Sequence, residues 1–173
     1  MTQYTKRMVI AHWLTLLLLI VAWLYGDTLD DARHAGSATL QLYWLHASVG
    51  GAILLLTLLR FTLRRTDGVP TPVGTGTMDK VATGIHHLLY TLLILIPVTG
   101  VLTVLTSKVG SALLAGDVTL LPKKYADAWA HSMHGLLVNV LIAVVVMHVL
   151  GALKHQFVLR DGLMSRMSLR KTD

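Results

Sequence analysis

Nine histidines stand in a chain of 173 residues. Eight of them, His12, His46, His86, His87, His131, His134, His148 and His155, lie within or at the ends of long uncharged stretches. An ionisable group inside hydrocarbon is costly and marks a functional site by default. A neutral imidazole is also the commonest metal ligand, and it titrates near neutral pH. His134 and His148 are 14 residues apart. On a helix that is close to four turns, about 40° out of phase and about 21 Å along the axis. Both therefore point to one face, one near each end. His155 continues the stripe a heptad later, while His131 aims well away from His148.

The elements that must carry these residues are apolar. Hydrophobic residues make up 54% of the chain and charged residues only 14%, and the mean hydropathy is +0.62. Soluble domains carry about 25% charge. Met8 to Gly26, Ala35 to Leu59, Val81 to Ser107 and Ala128 to Leu153 are free of charge. Each reaches the roughly 20 residues that a bilayer-crossing helix needs. The sequence predicts an all-α integral membrane protein. It is a single-domain, up-down-up-down four-helix bundle over 1–173, with spans near 8–26, 40–60, 81–106 and 128–154. A soluble bundle is disfavoured because these stretches keep almost no polar face. The first stretch is longer than a signal-peptide core and no cleavage site follows promptly, so it is read as retained.

Basic residues set the orientation. Lys6, Arg7, Arg60, Arg64, Arg65, Lys80, Lys154, Arg160, Arg166, Arg170 and Lys171 collect on one side. Arg33, Lys108, Lys123 and Lys124 lie on the other. The positive-inside rule puts the first group, and both termini, in the cytoplasm. The net charge of +6 is then a topology signal and not a nucleic-acid footprint. Asp27 to about Thr39 reads as an external loop, Thr62 to Asp79, with Pro70 and Pro72, as an internal one, and Lys108 to Asp127 as external. The basic tail from Phe157, with Leu159, Leu163, Met164 and Met167, either lies along the membrane surface or frays.

Depth then pairs the histidines. His12 lies five residues beyond Arg7 and His148 six before Lys154, so both sit about 7–9 Å inside the cytoplasmic end. His46 and His134 are at similar depth from the external end. Two imidazoles from different helices, facing across a bundle, suit the axial positions of a b-type haem. Two such sites are expected, one on each side of the membrane. His86 or His87 reaches the same depth as His12 and is an alternative ligand there. Gly50 and Gly51 beside His46, Gly135 beside His134 and Gly151 near His148 would let a flat ring approach. No cysteine is present, which excludes disulfides, thiol chemistry and covalently attached c-type haem.

These motifs are similar to those of the bacterial cytochrome b561 family of diheme membrane cytochromes b. The resemblance rests on Ala11-His12-Trp13, on His46 with Gly50, and on His86-x-x-x-Tyr90 followed by Pro97 and Gly100. It rests also on His134, His148 and His155 with their 14- and 7-residue steps. It implies two haem b, one held by His12 and His148 and the other by His46 and His134. It implies a quinone partner, ubiquinone as substrate or bound cofactor, near His155, with His86 as a further quinone or propionate contact. It also implies a bacterial inner-membrane location. One branch resembles superoxide oxidase, which would make the chain an oxidoreductase taking electrons from external superoxide to ubiquinone. The alternative is a quinol-oxidising cytochrome passing electrons to a periplasmic partner.

The residues themselves add further expectations. His155 and His86 could supply protons to a quinone, and Arg7, Arg60 and Lys154 could meet haem propionates. No catalytic side chain is singled out. The rival classes are a histidine-lined metal transporter and a purely structural subunit. The spans contain no carboxylate, because all acids are aspartates placed outside them, and cation paths normally rely on Asp, Glu and His together.

Overall fold

The computed structural model describes residues 3–71, 76–122 and 129–170. Pro72, Lys123, Lys124, Asp127, Ala128 and Lys171, named above, lie outside the described residues. Four long helices cross the molecule: α1 (Lys6–His34), α2 (Leu40–Thr66), α3 (Thr77–Thr106) and α5 (Trp129–Lys154). A short α4 (Val109–Ala115) and a 3-10 turn (Val118–Leu120) follow α3. Each long helix is long and apolar enough to cross a membrane. In lipid a helix satisfies every interior backbone group within itself, which is why this architecture is available to so apolar a chain. The all-α four-helix reading is borne out.

The helix ends have local causes. The Thr5 and Thr39 hydroxyls accept the Met8 and Leu42 N–H groups and start α1 and α2. The Asp79 carboxylate accepts the Gly76 N–H at 2.9 Å at the start of α3. The α1–α2 connection, expected over 27–39, is shorter than that, because α1 runs through Asp27, Asp30, Asp31 and Arg33 to His34. Hydropathy ends at Gly26, but no proline follows, and the helix continues as a polar extension tied by the Arg33–Asp30 pair at 2.6 Å. The third connection likewise holds α4 and the 3-10 turn.

The helices form two antiparallel pairs. α1 packs along α2 and α3 along α5, with a slighter seam between α2 and α3 and only sparse backbone approach of α1 to α5. Among the described residues the buried core is small, and much of it falls into three clusters. Met8, Ala11 and Leu63 lie near the chain termini. Leu92, Leu141 and Val144 lie in the middle, and Leu29, Tyr43 and Val109 at the far end. Most other large apolar side chains face outward.

Both chain ends meet at one end of the bundle, here the terminal end. After α5, a π turn (His155–Leu159) and left-handed residues at Arg160 and Gly162 reverse the chain. The tail then tucks against α1. Gln3 Nε2 donates to the Ser165 carbonyl at 2.7 Å and Trp13 Nε1 to that of Met167 at 3.1 Å. Arg166 donates to the Thr71 carbonyl at 2.6 Å. The residues at 163–168 are half-buried against the bundle and tied to it, while those at 157–162, with Phe157, Val158 and Leu159, are exposed. Arg7 and Asp67 form a salt bridge across the α1 and α2 ends, and Thr5 Oγ1 donates to the same carboxylate at 2.6 Å.

Hydrogen bonds from Arg7 and Thr5 hold the Asp67 carboxyl well below the usual carboxylate range. Its folded pKa lies below its unfolded one. Its contribution is thus fully present above about pH 4 and is lost only as pH falls through the depressed value. Asp67→Asn should lower the thermal midpoint in detergent at pH 7 and shrink the further drop seen in strong acid. Equal acid sensitivity in the two proteins would show that this clasp carries no stability.

Candidate functional site

The four central histidines come from three helices. His12 (α1) faces His148 (α5), with ring centroids 6.3 Å apart. His46 (α2) faces His134 (α5), with centroids 6.1 Å apart. Both pairs span from the α1/α2 layer to the α3/α5 layer. The first lies towards the terminal end and the second towards the distal end. Along α5 their separation is about 21 Å by helical rise, with the Leu92–Leu141–Val144 cluster between.

A metal ion held between two imidazoles has bonds of about 2 Å, and about 1.1 Å more separates each nitrogen from its ring centre, giving about 6.2 Å in all. Both pairs have this spacing. His86 comes closer to His148, at 5.3 Å between centroids, nearly an ångström less. Among the described residues no group of three or more His, Cys, Asp or Glu converges as a metal cage. The donor sets are two-fold, which suits axial ligation of a planar macrocycle better than tetrahedral zinc.

The distal pair is oriented by backbone. His46 Nδ1 lies 3.2 Å from the Ala22 carbonyl, and His134 Nδ1 lies 2.9 Å from that of Ile96. A carbonyl only accepts, so Nδ1 carries the proton in each and Nε2 keeps its lone pair for a metal. Thr99 Oγ1 adds a contact to His134 Nδ1 at 3.2 Å. Two glycines permit this approach. A Cβ at Gly26 would stand 3.1 Å from His46 Cε1, and one at Gly100 would stand 3.4 Å from His134 Cε1. By contrast, a Cβ on Gly50, Gly51, Gly135 or Gly151 would meet nothing within 4 Å.

The terminal pair is set differently. His12 Nδ1 faces Arg60 Nη2 at 3.4 Å, a long contact, and the Trp13 ring lies edge-on to His12 at 5.3 Å. The Arg60 guanidinium also sits over the Tyr90 ring, 5.1 Å from its centroid. His86, His87, Tyr90, Arg64, Thr83 and Phe61 line a recess of about 540 Å³ between α2 and α3. His155 begins the π turn, and its Nδ1 meets Asp161 Oδ2 at 2.5 Å. That bond holds the Asp161 carboxyl below its ordinary pKa. His131 lies at the start of α5, a turn before His134.

A model of the family described as prokaryotic cytochrome b561 matches residues 3–168. The chain belongs to that family. It is 34% identical to cytochrome b562 of Cereibacter sphaeroides over 96% of this chain and 98% of that protein. It is 28% identical to a probable superoxide oxidase, CybB, of Yersinia pestis, over 98% of this chain and 97% of the relative. It is 21% identical to cytochrome b561 homolog 1 of Escherichia coli, over 99% of each. Membership makes this a multi-pass bacterial membrane cytochrome of b type that works in electron transfer. The family resemblance read from the motifs in all four spans is thus borne out. The residues fit the implied haem: each pair has two imidazoles at the right spacing, and the distal pair has both Nδ1 groups already committed to carbonyls.

Sequence reasoning missed the role of Gly26 and the carbonyls of Ala22 and Ile96. Pro97 in α3 leaves the Leu93 carbonyl, four residues earlier, without its helical N–H and does not free Ile96, so no local signal marked the Ile96 carbonyl. Gly26→Val should displace His46 and shift or weaken haem absorption, while Gly84→Ala, whose Cβ meets nothing within 4 Å, should leave it unchanged. Identical spectra of purified Gly26→Val and wild-type protein would place His46 outside the haem environment.

Proposed function

We propose that the chain is a diheme electron carrier of the bacterial inner membrane, linking an external donor to ubiquinone. In this reading His12 and His148 hold one haem b, and His46 and His134 hold the other. The observation that carries it is the pair of centroid separations, 6.3 and 6.1 Å, each bridging the two helix layers. His86 is the weaker candidate for the first site, because its 5.3 Å approach to His148 leaves less room for an interposed iron. Haem iron held there takes up and releases one electron at a time.

The chain's own residues supply the rest. The Ala22 and Ile96 carbonyls keep the distal imidazoles in one tautomer and make them better donors. The Leu92–Leu141–Val144 cluster excludes water between the two levels. Positive-inside supports a cytoplasmic terminal end: Arg7, Arg64, Arg65, Lys80, Arg160, Arg166 and Arg170 lie towards it, against Arg33 and Lys108 at the distal end. Quinone is placed in this reading near His155 and the His86 recess, both at the terminal end. The recess combines apolar walls with a few polar groups, as ligand sites do. The His155–Asp161 pair holds a proton at the water boundary, where quinone reduction consumes protons.

The external donor in this reading is superoxide, in keeping with the name of the Yersinia pestis relative. A quinol-oxidising cytochrome that feeds a periplasmic redox partner remains the alternative direction.

His12→Ala or His148→Ala should remove one haem and spare the other, and His46→Ala or His134→Ala should remove the opposite one, as read by pyridine haemochrome. If His12→Ala keeps both while His86→Ala loses one, the pairing is wrong. Stopped-flow mixing should show faster haem reduction by superoxide than by quinol; the reverse order selects the alternative direction. His155→Ala should slow quinone turnover severalfold with haem content intact, and unchanged turnover assigns that ring to the helix end alone.

A further inference from the structure

The two histidine pairs stand in opposite electrostatic surroundings. At the distal pair, both rings donate Nδ1–H to backbone carbonyls, which adds electron density to the imidazoles and favours an oxidised metal. At the same end of the bundle, Arg33 is paired with Asp30 at 2.6 Å. At the terminal pair, Arg60 reaches to 3.4 Å from His12 Nδ1. It also lies over the neutral Tyr90 ring. No carboxylate bonds Arg60 among the described residues, whereas Asp30 neutralises Arg33. A half-buried cation with little water to screen it acts strongly on a neighbouring charge. It favours whichever state of that neighbour is less positive.

We propose that Arg60 sets the direction of electron flow by raising the reduction potential of the terminal haem above that of the distal one. This rests on the ligand pairing proposed above. The step is one electron leaving the distal iron, which is oxidised by one, and arriving at the terminal iron, which is reduced by one. No atom or proton is transferred between the sites. Electrons therefore settle at the end that holds His155, His86 and the recess. The sign survives if a haem propionate pairs with Arg60. Removing the cation would then leave that carboxylate uncompensated, which lowers the terminal potential further.

The test is a spectroelectrochemical titration of the purified, haem-loaded protein, with haem counted in each sample. His46→Ala reports the terminal potential alone and His148→Ala the distal one. The terminal value should be the higher, and a lower or equal value overturns the inference. Arg60→Met should shift the terminal midpoint downward, changing the terminal-to-distal electron ratio by about tenfold or more, with the distal midpoint unmoved. Arg60→Lys keeps the charge and should recover most of the shift, which a loss of packing alone would not do. A terminal midpoint that stays put or rises in Arg60→Met, or equal shifts at both sites, overturns the role of Arg60. If Arg60→Met fails to retain haem, the ordering of the two single-haem variants still decides. A wrong ligand pairing shows itself separately, because His46→Ala and His148→Ala would then not each lose one haem.

Discussion

Two imidazoles from different helix layers must face each other at a fixed distance, within lipid, at two levels of one bundle. That constraint explains most of the architecture. The backbone of each long helix is satisfied internally, so polar chemistry at membrane depth has to come from side chains. Imidazole is suited to this, because one ring nitrogen can be tied to the scaffold while the other stays available. At the distal pair the scaffold atoms are the Ala22 and Ile96 carbonyls, reached because Gly26 and Gly100 have no side chains.

The packing follows from the same need. A bundle designed only for helix contact would fill its centre, yet among the described residues few are buried and most of those gather in three small clusters. α1 and α5 approach each other sparsely, and the facing histidines bridge that space. In the proposed reading a flat apolar ring between the layers would add buried surface where side chains do not meet, and binding to the folded state alone would stabilise it. At the terminal end the Arg7–Asp67 bridge and the returning tail join α1, α2 and α5 without drawing the layers shut.

Much of this was legible before any coordinates. Four uncharged stretches announced four helices, because hydrocarbon demands length and apolarity and both are local properties. The family resemblance was legible in several motifs together, among them Ala11-His12-Trp13, His46 with Gly50 and His86-x-x-x-Tyr90, whereas helical period alone put His134 and His148 on one face. The polar continuation of α1 to His34 was not legible, since hydropathy reports where lipid ends and not where helical hydrogen bonding ends. The tail was ambiguous for a related reason. Its half-buried state depends on the Gln3, Trp13 and Thr71 groups that it meets, all remote in sequence.

The sequence by itself determined the number of long apolar helices and the position of each histidine along its helix. Depth is a count of residues from a charged boundary. It could not determine which ring faces which. His12 and His86 share a level, and nothing local distinguishes them. Tertiary structure decided that His12 stands 6.3 Å from His148 and His86 only 5.3 Å from it. It also brought Arg60 to His12 and Gly26 to His46. The rotation of one helix against another is set by interhelical packing, and no periodicity within a single helix encodes it.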